Sequence, residues 1–282
     1  MPSFLHDGQR LAYSEHGPAD SARTTVLLHG LLLSQKMHLP LAATLADRGN
    51  RVITLDLLGH GKSDRPVDMW RYSMTLFGEQ VIGLLDHLEV DQALLVGTSL
   101  GANVALEAAA AAPERLRGMV IEMPVLDTAL LACALAFAPV TLATTFGAPV
   151  TRPVTRALAS LPRWGLPFWG EVLLDWVSQD PAPSAAVLLG ITFGRIAPHR
   201  THRRLIQTPA LVIGHRRDPV HAFSDAGMLA EELPNGRLIE ASSILELRLA
   251  PDRLTGEISA FIDECWRPRP AARARRSSTV SG

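Results

Sequence analysis

Short apolar runs alternate with longer mixed runs along most of this chain. TTVLL (24–28), RVITLD (51–56), ALLVG (93–97), GMVIEM (118–123), PALVIG (209–214) and RLIEA (237–241) are each five or six residues long. That is the length of a strand, and β-branched residues are frequent in them. Between them, SQKMHLPLAATLADRG, SMTLFGEQVIGLLDHL, LGANVALEAAAAA and APDRLTGEISAFIDECW read as helices, the third through its alanine and leucine content. Near-continuous apolar strands alternating with helices predict a mostly parallel sheet with helices on both faces.

One stretch breaks the alternation. Residues 124–205 show no strand pattern and contain Pro139, Pro149, Pro153, Pro162, Pro167, Pro181, Pro183 and Pro198. This predicts several short helices broken at the prolines. Set between two strands of a parallel sheet, such an insert lies beyond the strand ends, where ligand crevices form. The expected organisation is a core of residues 1–123 and 206–266 with a helical cap at 124–205. The closing segment 267–282, RPRPAARARRSSTVSG, holds five arginines, no acid and no apolar period. It is expected to be a solvated, disordered tail.

Composition changes this picture little. The net charge is −1, or −6 without the tail, which gives no reason to expect nucleic acid as a partner. Cys133 and Cys265 match no metal or redox spacing, and two lone thiols suggest a reducing, cytoplasmic setting. MPSFLHDGQRLAYSEHG lacks the charged and apolar regions of a secretion signal. The run PVLDTALLACALAFAPVTLATTFGAPV (124–150) is interrupted by prolines and an aspartate and reads as buried helices, since a membrane span needs about twenty unbroken apolar residues. DLLGHGKSD (56–64) lacks the upstream glycine of a phosphate loop. No metal, nucleotide or other cofactor is expected, and the expected partner is a small apolar molecule.

The sharpest chemical motif is GTSLG (97–101), at the junction between a strand and a helix. That context makes G-x-S-x-G informative: Ser99 occupies a tight turn that flanking glycines permit. The helix N-terminus behind it presents free N–H groups and a positive dipole end. LLHGLLLS (27–34) supplies a second turn at the end of an early strand. There the Leu31 N–H can join that of Leu100 as a two-donor oxyanion hole. The His29 side chain is read as shaping that turn.

LLHG, DLLGHGKSD, GTSLGANVAL and IGHRRDP (213–219), in this order and spacing, resemble the α/β-hydrolase family over roughly residues 4–266. The resemblance implies an eight-stranded, mainly parallel sheet with the cap before the seventh strand. It also implies a triad in the order nucleophile, acid, histidine. Ser99 matches the nucleophile and Asp218 the acid after the seventh strand. Some relatives carry the acid after the sixth strand, where Glu122 stands. The histidine is expected after the eighth strand, near Ser243 or Ile244.

EASSILELR (240–248) has no histidine there. Of the ten histidines, His6, His16 and His87 belong to outlying strands and a surface helix. His38 lies too far into the first helix, His60 sits in the GHGKS turn, and His199 and His202 lie in a basic surface segment. His215 at a strand end reads as packing. His221 in DPVHAFSD remains as the relocated base, partnered by Asp218 or by Glu122. Glu246 is a weaker substitute base, and Ile244 reads as pocket wall that contacts substrate.

The expected activity is acyl transfer to water, with Ser99 attacking an ester, thioester or lactone. The cap aromatics Phe137, Phe146, Trp164, Phe168, Trp169 and Trp176 suggest an apolar acyl or ring-bearing substrate. The rivals are a binding protein that has lost turnover, and a lyase using part of the triad.

Overall fold

The computed structural model describes residues 1–126 and 128–267, so almost all of the arginine-rich segment lies outside the described residues. Eight strands form one sheet: β1 (Ser3–His6), β2 (Gln9–His16), β3 (Thr24–Leu28), β4 (Arg51–Leu55), β5 (Ala93–Thr98), β6 (Leu116–Glu122), β7 (Ala210–His215) and β8 (Gly236–Ala241). The order is β1-β2-β4-β3-β5-β6-β7-β8, antiparallel at β1/β2 and β2/β4 and parallel elsewhere.

Residues of each central strand divide strictly between two cores. Val26 and Leu28, Leu95, Met119 and Ile121, and Val212 face one cluster. Leu27, Leu94 and Val96, Val120, and Leu211 and Ile213 face the other. This is the period of two that a pleated strand imposes, and here both faces are apolar. The first face is covered by α2 (Met74–His87) and α3 (Leu100–Ala111). The second is covered by α1 (Leu39–Asp47) and, from the chain's far end, a helix at Asp252–Cys265.

Between β6 and β7 the described residues form no strand. They form α4 (Leu130–Thr145), α5 (Ala148–Ala159), α6 (Phe168–Val177), α7 (Pro181–Phe193) and the one-turn α8 (Arg200–Arg203). The remaining helices are α9 (Phe223–Glu232), α10 (Glu246–Leu249) and α11, the Asp252–Cys265 helix. The expectation that prolines break the insert's helices holds only in part. Pro139 lies inside α4 and Pro153 inside α5, while Pro149, Pro181 and Pro183 fall in first turns. Pro139 and Pro153 are both exposed, so the carbonyl that each leaves without an intrahelical donor can turn to water. No single helix among the described residues is long and apolar enough to cross a membrane; Ala132–Thr145 and Ala148–Ala159 meet at 98°.

Strand order and register decide where a site forms. Leu28 pairs with Gly97, Thr98 with Glu122, and Glu122 with Ile213. The C-terminal ends of β3, β5, β6 and β7 therefore share one edge. The chain leaves β3 for β4 on one side and enters β5 on the other, which opens a crevice between the two turns.

Candidate active site

Ser99 sits at the β5–α3 turn with φ 53° and ψ −110°, a conformation that costs a non-glycine residue energy. The turn is held by hydrogen bonds from Ser99 N to Glu122 O (2.8 Å) and from Gly101 N to His29 O (3.1 Å). A Cβ at Gly97 would lie 2.1 Å from Gly101 O, and one at Gly101 would lie 2.1 Å from Leu28 O. Both glycines are thus required by contact with backbone that cannot move aside. Leu32 and Met123, after β3 and β6, also have positive φ, so strain gathers along this edge.

His221 reaches the serine. Ser99 Oγ lies 2.9 Å from His221 Nε2, and His221 Nδ1 lies 2.8 Å from Asp218 Oδ2. An ionised Asp218 only accepts, so Nδ1 carries the proton and Nε2 is left to accept from the serine hydroxyl. The other carboxylate oxygen, Oδ1, accepts from the Val220 and His221 amides at 2.8 and 2.9 Å. Acid and imidazole therefore come from one short loop, 216–222, whose turn the acid itself fixes. Burial pushes the Asp218 carboxyl up, but hydrogen bonds from the His221 ring and amide and from Val220 N outweigh it. The group is held below its ordinary value.

Glu122, the alternative acid, is not hydrogen-bonded to His221. Its carboxylate takes both Arg248 nitrogens, with Nη2 at 2.8 Å, and accepts from Thr98 Oγ1 at 2.7 Å. His215 Nε2 stands 3.6 Å away. Glu122 is 1 % exposed, and burial alone would raise its carboxyl. The Arg248 charge and the hydrogen bonds from Arg248 and Thr98 instead hold it far below the ordinary carboxylate range. It is a buried ion-pair partner beside the site, a role set by Arg248 arriving from α10.

Glu246, considered as a substitute base, accepts from Ser242 N and pairs with Arg253 at 2.8 Å, away from Ser99. The other histidines near the edge are bound to backbone. His29 donates to Gly30 O and accepts from Leu57 N, and burial lowers its pKa. His38 donates to Leu28 O, and its buried ring is pushed down to about 4. His60 bonds Leu58 O and is likewise lowered by burial; His215 donates to Ser243 O. The GHGKS turn is anchored by Asp56, which accepts from Gln35 N and Lys62 N at 2.7 and 2.9 Å.

Leu100 is the first residue of α3, so its N–H lies outside the intrahelical ladder. Leu31 follows β3 across the crevice and lines it together with Ser99. Among the described residues no group of three His, Cys, Asp or Glu side chains could hold a metal ion.

The model of the alpha/beta hydrolase fold matches residues 25–240, most of the chain. The chain belongs to this family. A stretch of 201 residues is 30 % identical to 3-oxoadipate enol-lactonase 2 of Acinetobacter baylyi, covering 68 % of this hydrolase-fold chain and 72 % of that one. Haloalkane dehalogenase of Mycolicibacterium paratuberculosis is 32 % identical over 120 residues, 43 % of this chain and 40 % of the relative. Over such relatives the match spans less than half of their length. The crystal structure of the enol-lactonase from Burkholderia xenovorans LB400 superposes with a TM-score of 0.75 at 24 % identity, covering 93 % of this chain and all of the other. That likeness is one of fold.

As in a capped alpha/beta hydrolase fold, the insert roofs the crevice. Two cavities, of about 410 and 450 Å³, meet at Ser99, with Leu31 and Phe137 in the walls of both. Ile244 lines the larger, together with Trp169, Trp176, Asp218, His221 and Arg248. Of the cap aromatics, Phe146 and Trp164 are exposed and line neither of these cavities, and Phe168 packs edge-on against Trp169. The cap is fastened to the core by Lys36 to Glu171 at 2.6 Å and Trp169 Nε1 to Arg248 O at 2.8 Å. Asn103 ties its two ends, donating to Val125 O and Ile196 O at 2.7 and 2.8 Å. Neither Arg248 nor Asn103 stands out in sequence. A polar residue one turn after Ser99, in the otherwise apolar run LGANVAL, is the local signal for the second.

Proposed function

We propose that this protein is a serine hydrolase that cleaves a carboxylic ester or thioester of an apolar small molecule through an acyl-enzyme at Ser99. The observation that carries the reading is the unbroken chain Ser99–His221–Asp218, with links of 2.9 and 2.8 Å. Family membership and the lactonase and hydrolase relatives support the reaction class.

In this reading His221 takes the Ser99 proton at Nε2 as Oγ attacks the carbonyl carbon. Asp218 holds the ring's tautomer and stabilises the imidazolium as it forms. The Leu31 and Leu100 amides receive the negative oxygen, aided by the α3 dipole. The imidazolium then protonates the departing oxygen or sulfur. Water repeats the sequence on the acyl-enzyme, releasing the acid and restoring the serine. The histidine after the eighth strand is replaced by one after the seventh. No histidine follows His221 in the sequence, so within this chain the role has no other downstream holder.

A fluorophosphonate probe tests the reading. Labelling of wild type that is lost in Ser99→Ala and slowed by about 10³-fold or more in His221→Ala is expected. Rapid labelling that survives His221→Ala removes the histidine from the mechanism. Absence of any labelling favours a binding protein or a lyase.

A further inference from the structure

The two cavities that meet at Ser99 differ in chemistry. The smaller is walled by aliphatic residues such as Met74, Val125, Leu188 and Ile191 and by one face of α4, and no charged side chain lines it. Its polar side chains are already engaged. Asn103 donates to Val125 O and Ile196 O and accepts from Val125 N; Thr141 donates to Phe137 O at 2.9 Å and Thr192 to Leu188 O at 2.7 Å. Cys133 Sγ faces Val220 O, and burial raises its thiol to about 11. A ligand group placed there finds hydrocarbon and no free donor, so a carboxylate or hydroxyl would lose its water without replacement.

The larger cavity holds Asp218 and His221, which the aliphatic one does not, and its wall carries Trp169 and Trp176. A general acid must stand beside the atom it protonates. The leaving group therefore lies on the His221 side and the acyl group on the other, with the carbonyl at Ser99 between them.

Resting on the Ser99 hydrolase reading, we propose that the substrate is an open-chain ester or thioester whose uncharged, medium-length acyl chain fills the aliphatic cavity while an aromatic or other flat leaving group lies against Trp169 and Trp176. Attack forms the Oγ–acyl carbon bond, breaks the bond from that carbon to the leaving oxygen or sulfur, and passes the serine proton through His221 to the leaving atom. Small lactones gain less, because one small ring cannot fill both cavities at once.

The test is a series of p-nitrophenyl esters from acetate to dodecanoate. Beside it run an ester of the same length bearing a terminal carboxylate, and γ-butyrolactone. kcat/KM is expected to rise about fourfold per methylene, giving roughly two orders of magnitude between acetate and hexanoate, with the carboxylated ester at least about a hundredfold below its methyl-ended counterpart. Ala138→Trp, on the α4 wall of the aliphatic cavity, should abolish the hexanoate-to-acetate preference. Trp176→Ala, on the other wall, should leave that ratio intact and lower the preference for p-nitrophenyl over ethyl leaving groups. A flat chain-length profile, a preference for the carboxylated ester or the lactone, or an equal loss on all esters in Ala138→Trp overturns the assignment while Ser99 labelling stands. Failure of every ester together with absent fluorophosphonate labelling overturns the hydrolase reading, and the assignment with it.

Discussion

The ends of β7 and β8 are neighbours in the sheet, with His215 paired to Ala241, yet the two segments that leave them do opposite things. After β7, seven residues deliver an acid and an imidazole to the serine, held together by bonds within the loop itself. After β8, the chain delivers a cation. Arg248 reaches back to Glu122 and closes a buried pair beneath the elbow, where Thr98 and the Ser99 amide also meet the end of β6. One segment holds its charge where it can act on a substrate; the other has its charge neutralised and becomes scaffold. What separates Asp218 from Glu122 is therefore the partner supplied by the next loop, since both are carboxylates near a strand end at the same edge. Exposure does not separate them: Asp218 keeps 3 % of its side-chain surface open and Glu122 1 %.

The comparison breaks most visibly at the β7 loop. His221→Ala should lower kcat/KM by about 10⁴-fold or more and Ser99→Ala by a similar factor, with the double variant little worse than either, because the two act as a unit. Steady-state kinetics with an acyl ester checks this, and additive losses would show that the residues work separately. Asp218→Asn should cost about 10³- to 10⁴-fold in kcat, since the amide can present a donor to Nδ1 and favour the wrong tautomer. A larger loss from Glu122→Gln than from Asp218→Asn would invert the roles assigned to the two carboxylates.

At the β8 segment the expected loss is in stability. Arg248→Ala leaves Glu122 buried without its cation, which costs about 3–5 kcal/mol near neutral pH. The folded-state pKa of Glu122 is depressed, so its contribution is complete above the unfolded value of about 4.3 and is lost as pH falls below that toward the folded value. Without Arg248 the carboxyl's folded pKa rises and the sign reverses, so the variant should approach wild type as the pH is lowered. Urea midpoints at pH 7 and pH 4 measure this, and a difference independent of pH would mean that Arg248 stabilises by packing alone.

These two segments were unequally readable for a physical reason. The elbow is written in five residues because its glycines touch backbone: any side chain at Gly97 or Gly101 would collide, so the local sequence carries the constraint. The sheet is readable because burial on both faces makes each central strand an apolar run. His221 could be singled out by the positions of the other histidines along the chain, and the structure sets its Nε2 2.9 Å from Ser99 Oγ. Its acid could not be chosen, because Asp218 and Glu122 both stand near strand ends and the choice rests on Arg248, 126 residues from Glu122 along the chain. Cap proline positions misled for a related reason. Whether a proline ends a helix depends on whether water can reach the freed carbonyl, and exposure is a tertiary property.

The smallest expected effect lies at Ile244, which the segment after β8 places in the pocket wall. The side chain is 37 % exposed and lines the cavity that contains His221 and the tryptophans. A half-exposed residue contributes little to folding, so Ile244→Ala should change stability by less than about 1 kcal/mol. Its apolar surface faces the leaving group, and removing it should raise KM about three- to tenfold with kcat nearly unchanged, as expected of contacts made equally in ground and transition states. Ile244→His carries more weight. If the base is His221, an imidazole at 244 adds nothing to wild type and does not rescue His221→Ala, because Asp218 is turned toward the β7 loop by two amides of that loop. Recovery of even a hundredfold in the His221→Ala, Ile244→His double variant would show that the β8 position still presents an imidazole to Ser99, and that the two segments differ less in geometry than in which one carries the histidine.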